Sequence, residues 1–420
     1  MAHSVLKIVN KPILWILLLA LALRLWGVAY GFPLFLVNDE TPHVYGTLKM
    51  IELKTLIPAF HQDEFKKVLY YPPLLSYVFL PVLSPVIGAH WFLSGMPPVA
   101  QYKLTLALDP SFIWFAARIF IALVGVINVA VIYLFTRRIF QSESAGLFAA
   151  LFLALSFYHV QLSHNVRHWL PAAFLLTLVW YFSSALYEKN ASWKKYLLSG
   201  ALVGAAAGGV NTAAVIGLIP IFFASVFQRG REGLARIQVK KLAILFLSFA
   251  AITLLFVALH PYGLTRAEGA ASPEADVLGR FSLLYQKSIS GLVHFWGIYV
   301  GALWNFETPL FLIGVLGVCF SFWRGSRFWA ATFVIYAFSF FTLLYFFDDF
   351  TARGVIFITP ILAVFAGYAA DRAWEKLRNL EIDKFSPHVF SVLISILFFS
   401  LLFGWQFITD LRYDWLLSQK

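Results

Sequence analysis

The chain alternates long apolar runs with short polar breaks, and this pattern predicts a bundle of membrane-spanning helices. An apolar stretch of about 20 residues is long enough to cross a bilayer as a helix. Eleven stretches approach that length, at residues 12–30, 112–135, 145–161, 169–187, 196–208, 213–228, 242–259, 307–323, 328–346, 354–371 and 388–408.

Two longer segments, 31–111 and 260–306, separate these runs. The first contains "HVYGTLKMIEL", which has helical spacing, and then "YYPPLLSYVFLPVLSPVIG", which is apolar but interrupted by prolines. Proline-broken backbone is tolerated at membrane depth where protein or a cavity surrounds it. We therefore expect segment 31–111 to form short helices at the membrane surface with a partial re-entry.

Composition supports a polytopic membrane protein. The chain has 420 residues, of which 60% are hydrophobic and 13% charged, whereas soluble domains average about 25% charged residues. The formal charge of +11 is typical of basic cytoplasmic loops, which we prefer to nucleic-acid binding. Cys319 is the single cysteine, so an intramolecular disulfide is excluded.

The loop charges predict an orientation. We interpret 12–30 as an uncleaved first helix, because the run is long, contains Arg24 and lacks a small-residue cleavage site. With the N-terminus in the cytoplasm, the inside loops carry 16 Lys and Arg, and the short outside loops carry 2. This asymmetry orients membrane proteins. The result is one membrane domain, 1–420, with 31–111 and 260–306 outside.

The same topology collects ionisable and aromatic residues at the outer ends of the helices. A cluster of such groups at one membrane face is a candidate functional site. Its members are Asp39, Glu40, His43, Tyr70, Tyr71, His164, Arg167, His168, His260, Asp348, Asp349 and Arg353.

Asp39 and Glu40 have a structural and a chemical interpretation. Asp39 can cap a helix that begins near Thr41 and Pro42, since Asp is a preferred N-cap and Pro suits a first turn. A helix N-terminus also favours an ionised carboxylate, which is the form a general base needs. His43 lies one turn further and can share their face, where a structural hydrogen-bonding role is the simpler alternative.

The cations have two interpretations as well. Arg353 and Arg167 can bind phosphate, because a guanidinium matches it with two parallel hydrogen bonds. The alternative for Arg353 is a local ion pair with Asp348 or Asp349. His164 and His168 are four residues apart with no carboxylate beside them, so we expect no metal there. Tyr70 and Tyr71 precede a proline pair and suit an interface or the wall of a lipid groove.

Three stretches in order carry a family resemblance: "NDETPHVYGTLKM", then "YYPPLLSY", then "AARIFIALVGVINVAVIYLFTRRIF". With "AGLFAALFLALSFYHVQLSHNVR" they resemble the C-type glycosyltransferases, and more narrowly the protein O-mannosyltransferase and lipid A aminoarabinose transferase group. The resemblance covers about residues 12–187. Beyond that, only the helix pattern and an arginine near the start of a late helix, Arg353, are similar.

The resemblance implies a membrane enzyme that takes a sugar from a polyprenyl-phosphate donor on the extracytoplasmic side. That side is the periplasmic or extracellular face of the plasma membrane in a prokaryote, or the endoplasmic reticulum lumen in a eukaryote. The acceptor is then a protein, lipid or glycan. In that family a first-loop aspartate activates the acceptor, and it corresponds to Asp39, with Glu40 beside it. His164, Arg167, His168 and Arg353 are then expected near the donor phosphate, and His43, Tyr70, Tyr71, His260, Asp348 and Asp349 in the substrate pocket.

This sequence departs from the resemblance at two positions. Relatives often carry a second acidic residue where Trp169 stands, and some carry Lys or His where Tyr71 precedes the proline pair. We therefore expect no resident cofactor and regard a divalent metal as doubtful, with the first-loop carboxylates supplying nearly all the acidic chemistry.

A function of a different class remains open at this point. Arg24 and Arg118 lie within predicted spans, and charges within spans often line a transport pathway. A lipid or solute transporter would use them so, although transporters place their sites near the midplane, often in repeated halves. An inactive scaffold is a third alternative.

Overall fold

The computed structural model describes residues 12–32, 40–65, 68–69, 71–188, 191–228, 238–261, 289–324, 326–346 and 352–378, and residues 400, 403–404, 407–408 and 410. Within these residues every regular element is a helix. The all-α polytopic class expected from the apolar runs is therefore confirmed.

The α-helices follow the predicted spans closely. In chain order they are α1 Pro12–Leu25, α2 Thr41–Leu53, α3 Gln62–Phe65, α4 Leu74–Leu93, α5 Val99–Leu108, α6 Ser111–Phe140, α7 Glu143–Ala154, α8 Phe157–Ser163, α9 Trp169–Leu186, α10 Trp193–Gly209, α11 Leu218–Val226, α12 Val239–Leu259, α13 Ile289–Phe306, α14 Thr308–Arg324, α15 Arg327–Phe346 and α16 Thr359–Arg378. Short 3₁₀ turns form at Pro58–Phe60, Thr212–Gly217 and Ala352–Phe357. The last predicted span, 388–408, falls mostly outside the described residues.

The number of membrane crossings depends on whether the bent helix pairs are counted as spans. By length and composition, 4 of the described helices can cross a membrane, namely α4, α6, α9 and α12, and up to 6 spans result if each of two bent pairs counts as one. Helix α4 belongs to the segment expected at the membrane surface. The expectation of eleven spans therefore stays a prediction.

Helices α7 and α8 form one bent pair, which replaces the single span expected over 145–161. Their axes differ by 58°, and the bend leaves the carbonyls at the end of α7 without helical partners. The Arg24 guanidinium of α1 donates to two of them, Leu153 O at 3.2 Å and Ala154 O at 3.1 Å. A cation at the C-terminal end of a helix also complements the helix dipole.

The start of α8 is bound by an acidic side chain, that of Glu307. Glu307 Oε1 accepts hydrogen bonds from Ser156 Oγ at 2.7 Å and from the backbone N–H of Tyr158 at 2.9 Å. Glu307 itself separates α13 from α14, whose axes differ by 113°. Two bends in the bundle thus meet at one fully buried carboxylate.

Small residues allow the helices to approach closely. Gly200, Gly204 and Gly208 recur every fourth residue on α10 and face α12. A Cβ on Gly204 would lie 2.7 Å from Phe249 O, and one on Gly208 would lie 2.7 Å from Thr253 Cα. Small residues at this spacing are a common way for helices to associate in membranes. The short Gly/Ala-rich run at 196–208 is therefore a packing face.

Candidate active site

Glu40 and Arg118 form a buried ion pair at the junction of α2 and α6. Arg118 Nε donates to Glu40 Oε1 at 3.0 Å and Nη2 donates to Oε2 at 2.7 Å. Both residues are nearly inaccessible, at 1% and 2% exposure. This bidentate geometry is the strongest that arginine and a carboxylate adopt. Arg118, which the transporter alternative would place along a pathway, is therefore occupied by Glu40.

Arg118 also anchors the chain that leaves α1. Its Nη1 donates to Val28 O at 3.0 Å and to Tyr30 O at 2.8 Å. The guanidinium carbon lies 4.7 Å from the centre of the Phe32 ring, within cation–π range. Phe32 and Glu40 are the residues on either side of segment 33–39. Asp39 belongs to that segment and lies outside the described residues, but both flanks of the segment contact one arginine.

Helix α2 begins at Thr41, as expected, with Pro42 in its first turn. The residue before α2 is Glu40, whose backbone is already helical, and the capping alternative for Asp39 stays a prediction because Asp39 lies outside the described residues. The Glu40 side chain makes no capping hydrogen bond, since it is directed to Arg118.

The loop between α8 and α9 is joined to the same pair. Glu40 Oε1 accepts a hydrogen bond from the backbone N–H of Val166 at 2.8 Å, and Asn165 Oδ1 accepts one from the Tyr30 hydroxyl. Glu40 therefore connects three segments that are distant in sequence: the start of α2, helix α6 and the 164–168 loop.

His164 is held between two backbone carbonyls of this region. Its ring nitrogens lie 2.9 Å from Val160 O and 2.9 Å from Trp26 O, and the residue is fully buried. Burial lowers the pKa of His164 to about 4, and the opposing effect of the two carbonyls is smaller. The neutral ring can donate only one hydrogen bond, so His164 serves mainly to tie the loop to the end of α1.

His43, Tyr71, His168 and Trp169 form a ring cluster beside the ion pair. His43 stacks on Tyr71 with ring centroids 5.4 Å apart, and Tyr71 lies 4.8 Å from His168. His168 in turn lies 5.0 Å from Trp169 and 6.0 Å from His43. His43 and His168, which are 125 positions apart in the numbering, are thus brought together by α2 and the start of α9.

The two histidines of the ring cluster have unusual surroundings. Among the described residues, neither ring nitrogen of His43 has a hydrogen-bond partner, and nor does His168 Nδ1. Burial lowers the pKa of His43 to about 3, and the nearby charge of Arg167 acts in the same direction. Burial likewise holds the pKa of His168 well below its usual value, with smaller effects from His43 and Arg167. Both rings are neutral at pH 7.

Arg167 lies beside the ring cluster, and the turn that carries Arg353 packs against Trp169. Arg167 is 8% exposed and directly precedes His168. Arg353 is half-buried in the 3₁₀ turn Ala352–Phe357, whose Phe357 ring lies 5.6 Å from Trp169. The turn carrying Arg353 therefore packs against the start of α9.

Some of the predicted site residues have no counterpart in this geometry. Tyr70, Asp348 and Asp349 lie outside the described residues. His260 is the residue that follows α12. No group of three or more His, Cys, Asp or Glu residues that could hold a metal ion occurs in the described part of the chain.

The site contains one central residue to which the sequence reasoning gave another role. Arg118 looked like a charge on a transport pathway, whereas it fixes Glu40 and the end of α1. One signal could have identified it: a carboxylate next to a membrane span needs a cation, and Arg118 is an arginine near the outer end of the next long span.

Comparison with known proteins bears on the family resemblance. A family model described as dolichyl-phosphate-mannose-protein mannosyltransferase matches residues 96–258. The match starts after α4 and ends within α12, so it begins later and extends further than the resemblance inferred over 12–187. No curated protein sequence matches the chain.

Solved structures with a similar fold include two kinds of membrane enzyme. The oligosaccharyltransferase of Archaeoglobus fulgidus, tethered to an acceptor peptide, has a TM-score of 0.56 at 15% identity, over 97% of this chain and 55% of that chain. Its complex with an inhibitory peptide and dolichol-phosphate has a TM-score of 0.58 at 14% identity, with 97% and 55% covered. ArnT from Cupriavidus metallidurans, bound to undecaprenyl phosphate, has a TM-score of 0.58 at 16% identity, with 97% and 73% covered.

These likenesses concern the fold, because the identities are low. The chain spans about half the length of the archaeal oligosaccharyltransferase that it matches, at 55%, and more of ArnT. The multi-pass helical architecture expected from the sequence is therefore that of known membrane glycosyltransferases. The chain resembles the C-type glycosyltransferases, and within them the mannosyltransferase and ArnT group.

Proposed function

We propose that the chain is an integral membrane glycosyltransferase that transfers a sugar from a polyprenyl-phosphate donor to an acceptor, with Asp39 as the general base. The site lies on the extracytoplasmic face of a prokaryotic plasma membrane in this proposal. The acceptor is a protein, lipid or glycan. The fold shared with ArnT bound to undecaprenyl phosphate and with the oligosaccharyltransferase bound to dolichol-phosphate supports a lipid-linked donor.

One observation carries the proposal. Segment 33–39, which contains Asp39, is flanked by Phe32 and Glu40, and both contact Arg118. Glu40 also holds the 164–168 loop, which contains Arg167. An acidic residue beside this junction and an arginine on the attached loop supply the two charges that the chemistry requires: a base for the acceptor and a cation for the phosphate.

The proposed reaction is an inverting displacement. The acceptor hydroxyl oxygen attacks the anomeric carbon and forms the new glycosidic bond, while the bond between that carbon and the phosphate oxygen breaks. The hydroxyl proton passes to the Asp39 carboxylate, and the electron pair leaves with the polyprenyl phosphate. Arg167 and Arg353 compensate the charge that develops on the departing phosphate.

Glu40 has a positioning role in this proposal. Its two carboxylate oxygens are already engaged by Arg118 and by Val166 N–H, so it is poorly suited to accept a proton from an acceptor. His164 is assigned the same kind of role, since its ring nitrogens face the carbonyls of Val160 and Trp26 and its single N–H donates to one of them.

The transporter alternative loses its main support from these contacts. Arg118 is paired with Glu40, and Arg24 donates to the carbonyls of Leu153 and Ala154 and lies 2.7 Å from His159 Nδ1. Both arginines hold parts of the fold together. A charge that lines a pathway would instead face a water-filled cavity.

The deciding experiment measures sugar release and transfer by the purified protein, with radiolabelled polyprenyl-phosphate sugars as donors. Replacing Asp39→Asn is expected to reduce kcat at least ~100-fold, the usual contribution of a positioned base. Glu52→Gln is the matched control, because Glu52 is an exposed carboxylate of α2 paired only with lysines. Activity that persists unchanged in Asp39→Asn contradicts the assignment, and counterflow in vesicles without a covalent product would favour transport.

A further inference from the structure

Three buried ring nitrogens of the ring cluster require an explanation. Polar groups that are removed from water are nearly always hydrogen-bonded, because an unpaired one costs about 1–3 kcal/mol. His43 is fully buried and His168 is 8% exposed. Neither ring nitrogen of His43, nor Nδ1 of His168, finds a partner among the described residues. Such atoms are suited to meet a ligand.

The charge state of the rings indicates what kind of ligand fits. A neutral imidazole presents one N–H donor and one lone pair. A hydroxyl group also donates once and accepts, so the two match. A phosphate oxygen only accepts and would leave the lone pair of each ring unsatisfied. An ammonium group only donates, and Arg167 next to His168 would repel it.

The aromatic faces around the histidines point to the same class of ligand. Tyr71 and Trp169 both lie next to His168, with ring centroids at 4.8 Å and 5.0 Å from its own. Sugar rings combine hydroxyl groups with apolar C–H faces, and apolar binding surfaces with a few placed polar groups are typical of small-molecule sites.

We propose that His43 and His168, supported by Tyr71 and Trp169, form a subsite that binds the hydroxyl groups of a neutral sugar. This inference rests on the proposed function and specifies the sugar that the site accepts. It assigns the donor phosphate to Arg167 and Arg353, and it moves His168 from the phosphate to the sugar. A sugar whose hydroxyl is replaced by an ammonium group is then a poorer ligand.

The test compares lipids that differ only in the sugar. Binding of undecaprenyl phosphate and of undecaprenyl phosphate mannose is measured for the purified protein in nanodiscs. His43→Phe and His168→Phe keep an aromatic ring and remove the nitrogens. Each is expected to weaken binding of the mannosyl lipid about 10-fold, as loss of one hydrogen bond implies, and to leave binding of the bare lipid within about 2-fold. His90→Phe is the control, since His90 also stacks on an aromatic ring, Phe112, but belongs to α4 and lies outside the cluster.

The outcomes separate this inference from the proposed function. Equal loss of both lipids in the histidine variants overturns it, because the histidines would then act on the phosphate or on folding. Unchanged binding of the mannosyl lipid also overturns it, as does binding of undecaprenyl phosphate 4-amino-4-deoxyarabinose that is as tight as that of the mannosyl lipid. If the unaltered protein transfers sugar while the histidine variants bind the two lipids in the same ratio as the unaltered protein does, only this inference falls. If the unaltered protein binds neither lipid and transfers no sugar, the proposed function falls with it.

Discussion

The Glu40–Arg118 pair has an asymmetric energetic role at the scale of single residues. Removing two charges from water is costly, and their mutual attraction and hydrogen bonds repay that cost only while both are present. Arg118 also bonds to the carbonyls of Val28 and Tyr30. Loss of one partner therefore leaves an uncompensated charge in the interior and disturbs three segments at once.

Replacing Glu40→Gln is expected to lower the free energy of unfolding by about 3 kcal/mol, because the Arg118 charge stays buried without its counter-ion. Thermal unfolding of the detergent-solubilised protein measures the loss. The matched control is Glu375→Gln, since Glu375 pairs with Arg372 at an exposed site, where such pairs contribute less than about 1 kcal/mol. Similar shifts for both variants would contradict the structural role of the buried pair.

At this scale the sequence predicted a candidate site but left open which of its two carboxylates is bound by a cation. The adjacency of Asp39 and Glu40 and their place after the first span were visible in the chain. Which carboxylate is bound by a cation depends on a contact between residues 78 positions apart, and no local pattern encodes that contact. The pairing of His43 with His168 was hidden for the same reason.

At the scale of elements, the glycine face of α10 determines how closely α10 and α12 pack. Gly200, Gly204 and Gly208 each leave no room for a Cβ against the opposite helix. The Gly/Ala-rich run was visible in the sequence, where 196–208 was predicted as one of the spans. Close packing against α12 explains why this part of α10 is rich in glycine and alanine.

Replacing Gly204→Ala is expected to lower the free energy of unfolding by about 1–3 kcal/mol, because the new Cβ meets the backbone oxygen of Phe249 and overpacks the interface. Gly297→Ala in α13 is the control, since nothing lies within 4 Å of its Cβ position. That variant should be neutral or slightly stabilising, because alanine is the better helix former. The melting temperatures of the two purified variants measure this difference. Equal destabilisation would argue against close packing at Gly204.

The bend between α7 and α8 was only partly visible in the local pattern. The run 145–161 lacks proline and was interpreted as one span, although Ser156, which is the N-cap of α8, and the polar His159 and Gln161 interrupt its apolar character. The bend is stabilised from elsewhere: Arg24 on α1 satisfies the end of α7, and Glu307 satisfies the start of α8. Tertiary partners of this kind override local preference, and a single sequence shows them only as isolated charges in apolar runs.

At the scale of the whole molecule, the predicted orientation can be tested by chemical labelling. In a Cys319→Ala background, Lys103→Cys is expected to react with a membrane-impermeant maleimide on intact cells, because Lys103 is exposed in the segment expected outside. Lys194→Cys, at the exposed start of α10, should react only after the membrane is opened. Lys194 lies in 188–195, one of the Lys- and Arg-rich loops expected in the cytoplasm. The reverse pattern would contradict the orientation inferred from loop charge.

Most of the helical layout followed from hydrophobic patterning, because a bilayer requires long apolar helices. Helices α6, α9, α12 and α15 lie close to their predicted bounds. Helix α13 was not expected in the outside segment 260–306, although it is apolar, and the count of crossings depends on how such bent or surface helices are assigned. Patterning defines where a helix forms; its depth in the membrane depends on its neighbours.

The contacts of Arg24 have a consequence for the order in which the protein is made. Chains emerge from the ribosome N-terminus first, so α1 is synthesised before any of its partners. The carbonyls that satisfy Arg24 at the end of α7 come 129 and 130 residues later, and His159 comes 135 residues later. An unpaired arginine costs about 2.5–3.5 kcal/mol at the centre of a span on insertion scales, and the cost is smaller for Arg24 because it lies in the last turn of α1. Helix α1 therefore reaches its final stability in the membrane only after α7 and α8 have been synthesised and have packed against it.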